Sequence, residues 1–488
     1  MEDKRRHPRK PNDNHFGGDT MQPINKGIID LLESYVEARP DEVCLYSETE
    51  GYTTVELHKK VQAVAAFLKE KGVNQGDYVG ISATRTIKTV IVFLATQYLG
   101  AIAVMFDQHA PIEKSLSDFG KEIPLKVALD ISGEGFAIGG EEINFDALNG
   151  KTEKPVIDLH APALLIFTSG STGKSKGVVL SQFGYVNHQV NFAPSSGVVE
   201  NEKYIHLLPL SHVFGVAHVV DAIMHRIPNF FPKVIVPEYV LQCIEKYGFT
   251  RFGIVPSYAL MLSELACKTN YDISTMRTIV LAAAPTTFEQ FLFIQRSLGV
   301  KVVPAYGMSE LTIVSSAGPE VPDEIRAGSV GKPLEFNEVN IAEDGEIFLK
   351  SPTLFLGYYG DEPLDHNEFF PTGDMGHIDD EGFLHITGRK KDIIIRHGNN
   401  LSPLMIEGKL LKLPFVRMAA VVGIKDARSG EIPAAVIVLR PGTEYDAEAV
   451  KTVLNKLEMP KEIRVLPMLP MTASGKPDKM AIKKMFQQ

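Results

Sequence analysis

Between positions 164 and 180 an apolar run, LLIF, opens into a loop of small, hydroxylated and cationic residues and closes on a second apolar run, VVL. Short apolar runs bounded by glycines predict a strand, a loop and a strand. On either side of this stretch the apolar spacing alternates between two periods. Residues 28–38 and 56–71 repeat apolar positions at helical spacing, the second through Leu57, Val61, Val64, Ala65 and Leu68, and residues 78–81 read as the strand that follows. Residues 89–106 carry no charge, long enough for a membrane span. Gln97, Tyr98 and Gly100 interrupt the run, and a helix over 89–99 followed by a buried strand over 101–105 accounts for it within an α/β fold. Residues 207–215 read as a strand that turns sharply and presents His212 and Phe214. Helical patterns at 240–247 and 257–267 precede strands at 251–256 and 278–281, and 300–304 is a further strand. Alternating βαβ units predict a mostly parallel sheet with ligands at the carboxyl ends of its strands.

From Arg326 onward the pattern shortens to strands at 339–341 and 346–349 between Gly/Pro turns, a small β-rich subdomain. Four consecutive charges, Arg389-Lys390-Lys391-Asp392, lie between apolar strands at 383–386 and 393–395 and cannot be core, which marks a domain boundary. Helix and strand then alternate to the end of the chain. The expected fold class is α/β. A large N-terminal domain, 21–388, holds mostly parallel sheets with helices plus the small β-rich subdomain; residues 389–392 are a hinge; 393–488 form a small α+β C-terminal domain. Residues 1–20, charged and rich in Pro, Asn and Gly without an apolar core, are expected to be a disordered leader rather than a signal peptide.

Composition narrows the chemistry. Of 488 residues, 50 are Lys or Arg and 60 Asp or Glu, a formal charge of −10, so there is no basic field for nucleic acid and any phosphate site must be built locally from loops. Cys44, Cys243 and Cys267 are scattered and lack C-x-x-C spacing, which argues against disulfides and zinc and for reduced core thiols in the cytoplasm.

The loop within 164–180 suits the outer phosphates of a nucleotide. Gly170, Gly173 and Gly177 let the backbone turn its amides inward, Thr168, Ser169, Ser171 and Thr172 add hydroxyl donors, and Lys174 and Lys176 add charge. Gly173-Lys174-Ser175 ends like a P-loop, but that pattern needs glycine at position 168 and a helix after the serine, whereas position 168 is Thr and residues 178–180 read as strand.

The whole stretch resembles the T-S-G-S-T-G-x-x-K-G-V signature of the adenylate-forming superfamily of acyl-CoA synthetases, adenylation domains and luciferases, in its acyl-CoA ligase branch. Other segments resemble the same superfamily in order. Leu208 to Gly215 is similar to L-P-x-x-H-x-x-G, which implies that His212, Phe214 and Gly215, with Met308, border an acyl-substrate pocket; Tyr258 is a further candidate and His218 reads as pocket or core. Residues 282–285 stand where the family has a G-G-A-P turn on adenine, which assigns Ala283, Ala284 and Pro285 to the base, with less backbone freedom than glycines give. Tyr306-Gly307-Met308-Ser309-Glu310 is similar to Y-G-x-[ST]-E, implying that Tyr306 stacks on adenine beside Gly307, Ser309 reaches a phosphate and Glu310 holds Mg²⁺. Thr372-Gly373-Asp374 implies Asp374 on the ribose hydroxyls, with Arg389 nearby and Lys391 at the hinge position. The segment 470–479 resembles P-x-T-x-x-G-K-x-x-R, whose lysine, here Lys476, reaches the reacting carboxylate and α-phosphate.

The resemblance spans residues 22–486 and implies an ATP-dependent carboxylic acid:CoA ligase. Catalysis would rest on Lys476, Glu310, Thr168 and Lys174, with ATP, Mg²⁺ and coenzyme A as cofactors and a fatty or aryl acid as substrate, because the pocket candidates offer no lone charge for an amino group. Two alternatives stand beside it: a freestanding adenylation enzyme that loads a carrier protein, and a catalytically degenerate ATP-binding sensor, against which Glu310 and Lys476 argue. No carrier domain is expected after Gln488.

Overall fold

The computed structural model describes residues 21–108, 110–131, 135–168, 175–472 and 477–487. The uncharged run of 89–106 resolves as the sequence predicts: a helix, Ile87–Tyr98, buried on all sides and capped by the Thr86 hydroxyl accepting from the Thr89 amide, and a fully buried strand, Ile102–Phe106. Gly100 turns the chain between them at φ 68°, in the left-handed region that glycine tolerates. Among the described residues no helix is long and apolar enough to cross a membrane. The second predicted helix, Thr54–Glu70, starts on a capping box in which Thr53 and Glu56 satisfy each other's backbone amides.

Two large sheets carry the N-terminal region. One has Tyr78–Ser82 at its centre, paired in parallel with Ile102–Phe106 and Leu125–Asp130; Ile102–Phe106 in turn receives Pro162–Thr168, to which Lys176–Ser181 pairs antiparallel. The described strand ends that flank the candidate phosphate loop, Thr168 and Lys176, are therefore antiparallel partners. In the other large sheet Tyr204–Ile205, Arg251–Ile254, Thr278–Leu281 and Lys301–Tyr306 run parallel in that spatial order. Helices such as Val213–Met224 and Ile87–Tyr98 bury their apolar faces against these sheets, which makes the large continuous core. A four-stranded antiparallel sheet follows, Glu338–Ile341, Glu346–Lys350, Phe370–Ile378 and Leu384–Arg389, matching the expected β-rich subdomain.

Beyond Arg389 a 3-10 turn, Lys390–Asp392, leads into a separate sheet built on the long hairpin Val416–Asp426 and Gly430–Leu439, with the helices Pro403–Leu411 and Lys479–Met485 packed on it. Its two faces hold separate apolar clusters, so the C-terminal region has its own core. The expected class is thus the observed one: a large mixed α/β region and a smaller C-terminal domain.

Two expectations need correction. Residues 207–215 are not a strand: the ladder holds only Tyr204–Ile205, the chain turns through Pro209, and Val213 begins a helix. Apolar content alone does not separate a buried strand from a buried helix in so short a run. The three cysteines are not all core, since Cys44 and Cys243 are buried and Cys267 is exposed, where it closes the helix Pro256–Ala266 at the surface.

Candidate active site

Residues far apart in sequence meet at the carboxyl end of Lys301–Tyr306. The Tyr306 hydroxyl donates to Asp374 Oδ2 at 2.8 Å, and Arg389 Nε donates to Asp374 Oδ1 at 2.6 Å. Asp374 is buried, and its own amide donates to the Thr372 hydroxyl at 3.0 Å, so the turn at Gly373 aims the carboxylate between the phenol and the guanidinium. Burial first, and then the carboxylate beside it, hold the Tyr306 phenol far above the usual phenol range, so it remains a donor. Asp374 also raises the Arg389 pKa against the opposing effect of burial. Arg389 is half exposed, leaving one side of the group open.

Glu310 lies four residues beyond Tyr306 and is buried. Its Oε1 accepts from the Tyr358 hydroxyl at 2.6 Å, and the Lys176 ammonium sits over the Tyr358 ring, 4.1 Å from the centroid. The short strand Gly357–Tyr358 pairs with Lys176–Ser181, and this register brings the far end of the phosphate hairpin to Glu310. Tyr358 was not among the residues singled out from sequence; its only local sign is an aromatic pair, Tyr358-Tyr359, directly after a glycine at φ 131°. His188 was missed as well. Buried on the helix Gln182–Ser196, it makes a 2.6 Å hydrogen bond with the Thr312 hydroxyl through Nδ1, and its Nε2 donates to the Thr353 carbonyl at 2.7 Å, pinning the segment after Glu310. Burial lowers its pKa to about 4, so this ring is neutral near pH 7.

The remaining candidates fall as follows. Thr168 ends Pro162–Thr168 and Lys176 begins Lys176–Ser181, while Ser169, Gly170, Ser171, Thr172, Gly173 and Lys174 lie outside the described residues, as does Lys476. Gly307 has a packing reason for being glycine: a Cβ there would lie 1.8 Å from the Thr312 carbonyl oxygen. Gly215 is the same, its Cβ falling 2.0 Å from the Pro209 oxygen, which lets the helix Val213–Met224 start directly over the Pro209 turn with His212 as its N-cap. Ala283 sits at φ 72°, left-handed backbone that L side chains disfavour, at the carboxyl end of Thr278–Leu281 with Ala284 and Pro285 beside it. Met308 and Ser309 occupy the half-buried turn between Tyr306 and Glu310. Lys391 lies in the 3-10 turn Lys390–Asp392, and its neighbour Lys390 bonds Asp344 at 2.7 Å and Glu346 at 2.5 Å.

One buried carboxylate with one oxygen already held by a phenol does not make a closed metal site, and among the described residues no group of three or more His, Cys, Asp or Glu could hold an ion. Such a residue does fit Mg²⁺, which keeps most of its shell as water and phosphate oxygen.

A family profile described as AMP-binding enzyme matches residues 32–359, and one described as AMP-binding enzyme C-terminal domain matches 405–476. The chain is 28% identical over 471 residues to a 2-succinylbenzoate–CoA ligase of Listeria innocua, covering 93% of this chain and 99% of that protein. It is also similar in structure to an o-succinylbenzoate coenzyme A synthetase from Bacillus subtilis in complex with ATP and magnesium ion, at 27% identity and TM-score 0.77, covering 93% of this chain and 99% of that one. An ATP-bound MatB from Rhodopseudomonas palustris, 22% identical, shares the fold at TM-score 0.83 over 95% of this chain and 99% of that one. With a family match well over half its length, running through the hairpin, the Tyr306–Glu310 turn and Tyr358, this chain belongs to the AMP-binding, adenylate-forming enzymes.

Proposed function

We propose that this protein is an ATP-dependent carboxylic acid:CoA ligase that activates a fatty or aryl acid as its acyl-adenylate and then transfers the acyl group to coenzyme A in the cytoplasm. The observation that carries this reading is the convergence of Tyr306, Asp374 and Arg389, with Glu310 one turn of chain away beside Tyr358 and Lys176. The CoA-ligase names of the similar proteins support it.

In the first step a carboxylate oxygen forms a bond to the α-phosphorus of ATP while the bond to the bridging oxygen breaks and pyrophosphate leaves. No enzyme nucleophile is needed, so the protein acts by placement and charge neutralisation. Asp374 would accept from the two ribose hydroxyls, with Arg389 holding the carboxylate in position; Ala283, Ala284, Pro285 and the Tyr306 ring would border adenine. Thr168, Lys174 and Lys176 with the loop between them would take the outer phosphates. Glu310 would hold Mg²⁺, its orientation fixed by Tyr358, and the bound ion would neutralise phosphate charge. Lys476 would meet the reacting carboxylate and α-phosphate. In the second step a thiol attacks the anhydride carbonyl, AMP leaves, and the thiol proton passes to solvent. We place a rotation of the C-terminal domain about Lys391, within a boundary at 389–392, between the two steps.

The decisive test is carboxylate-dependent pyrophosphate release from ATP across fatty, aryl and amino acids, each with and without CoA. Release with one acid class, followed by AMP and thioester only with CoA, is the expected result. Release that never yields a CoA product would move the acceptor to a carrier protein, and ATP binding without release would leave a sensor.

A further inference from the structure

The strand Pro162–Thr168 meets the candidate phosphate loop at Thr168, and its opposite end opens onto a cavity of about 240 Å³. Seven residues of extended chain put about 20 Å between the two. Tyr78–Ser82, Ile102–Phe106 and Pro162–Thr168 run parallel, so all three begin around this cavity, which lies between the turn at Gln75-Gly76 and the segment 157–161. Its floor is apolar: Ile102 and Ala163 are buried, and Ile157, Ala161 and Pro162 line the sides. Gln182, also buried, has its amide engaged, Nε2 donating to the Gln97 carbonyl and Oε1 accepting from the Ile28 amide, each at 3.3 Å. Two glycines in left-handed backbone shape the walls. At Gly100 a Cβ would lie 3.1 Å from Gln75 Cγ and 3.2 Å from Ile157 Cγ1, so these two side chains close over the turn; at Gly76 a Cβ would meet nothing within 4 Å. Gln75 Nε2 donates to the Val156 carbonyl at 3.3 Å, which ties the two sides of the rim together.

The charge around this cavity has one sign. Asp158 is exposed at the rim, and its Oδ1 accepts from the His160 amide at 2.9 Å, which fixes the carboxylate in place. No Lys or Arg lines the cavity. The helix Ile87–Tyr98 ends just before Gly100 with no basic residue in its last turn, so its carbonyl end adds partial negative charge on the same side. An apolar cavity of about 150 Å³ is enough to hold benzene, so this one has room for a ring and a short side chain. We infer that the cavity is a second small-molecule site, at the far end of the sheet from Thr168, for a compact amine: an aryl or short alkyl ammonium whose body enters between Ile157 and Ala161 and whose charge stays at Asp158. This inference does not rest on the ligase reading.

Binding of phenethylamine to the full chain is measured by saturation-transfer NMR beside its neutral counterpart, 2-phenylethanol, with thermal melts to show that each variant is folded. The wild type is expected to bind the amine with a Kd on the order of 1 mM, as suits so small a ligand, and the alcohol more weakly. Asp158→Asn keeps the oxygen that holds the His160 amide and removes the charge; it is expected to bring the amine down to the level of the alcohol, a loss of up to about fivefold. Ala161→Met fills the cavity and is expected to abolish binding of both. The inference is overturned if the wild type binds neither ligand or binds the amine no better than the alcohol, if their ratio is unmoved in Asp158→Asn, or if binding survives in folded Ala161→Met. Should Ala161→Met fail to fold, the exposed Asp158→Asn decides alone. Pyrophosphate release plays no part in this readout, so the ligase reading stands or falls separately.

Discussion

Asp374 is the residue on which the candidate nucleotide site turns. Its two oxygens are committed to Tyr306 and Arg389, and removing them leaves a buried phenol and a guanidinium without an acceptor. Asp374→Ala is expected to raise the KM for ATP about tenfold or more and to lower stability by about 1–3 kcal/mol, the cost of orphaning buried polar groups. ATP titration of initial rates, with urea unfolding alongside, measures both. Ala283 makes the opposite kind of prediction. Left-handed backbone costs an L-residue about 1–2 kcal/mol, and a glycine there gives back about 0.4–1 kcal/mol through the freer unfolded chain. Ala283→Gly should therefore stabilise the fold by up to about 1 kcal/mol, seen as a higher urea midpoint; an unchanged or lower midpoint would mean that the strain is relieved by neighbours. Asp374 and Ala283 were both marked in the sequence, Asp374 by its tight turn and Ala283 by standing where glycines are usual. Tyr358 and His188 were not, because what makes them matter is a partner 48 and 124 residues away.

The segment from Tyr306 to Val314 doubles back on itself so closely that Gly307 has no room for a side chain. Gly307→Ala must displace the Thr312 carbonyl, and with it the loop that carries Glu310. A loss of about 1–3 kcal/mol, typical of overpacking, is expected together with adenylation falling further than stability alone explains. The same segment is tied to the helix Gln182–Ser196 by the neutral His188. A histidine whose pKa lies near 4 when folded and near 6.5 when unfolded binds its proton more readily in the unfolded chain throughout that interval. Stability is therefore full above pH 6.5 and falls as pH drops toward 4, by up to about 1.4 kcal/mol per pH unit for each such residue, and His218 adds to it. His188→Gln should flatten the urea midpoint against pH by one histidine's share. If the profile of the variant overlays that of the wild type, the imidazole is not neutral in the fold. At this scale the sequence was legible where period and length agree, as in Ile28–Ala38, and misleading at residues 207–215, where a short apolar run fits either element.

Among the described residues the two regions touch through few groups of opposite charge. Arg417, on the strand Val416–Asp426, makes a bidentate pair with Glu264 on the helix Pro256–Ala266, at 3.1 and 2.8 Å, and Lys390 links the turn after Arg389 to the β-rich subdomain. The Arg417–Glu264 pair is partly exposed on both sides, and pairs of that kind contribute little to stability, which is compatible with the proposed rotation. The proposed rotation then predicts a split between half-reactions. Lys476→Ala should abolish adenylate formation yet spare thioester formation from supplied acyl-adenylate, while Lys391→Pro, by fixing the backbone at the hinge, should do the reverse. Equal loss in both assays for Lys476→Ala would remove its assigned role, and full thioester activity in Lys391→Pro would take the hinge out of the mechanism.

Local chemistry wrote much of this into the sequence. Apolar period determined helix and strand where it ran long enough, as in Ile28–Ala38, though not in the short run at 207–215, and the hydroxyl-rich, lysine-bearing stretch at 168–176 determined that a phosphate site was to be expected, since each depends on residues within a few positions of one another. Tertiary structure alone decided which side chains meet: that Asp374 lies between Tyr306 and Arg389, that Tyr358 fixes Glu310, and that His218 fills the space left by Gly253. Those contacts are set by strand order and register in sheets whose neighbouring strands come from distant parts of the chain, and no local pattern specifies that pairing.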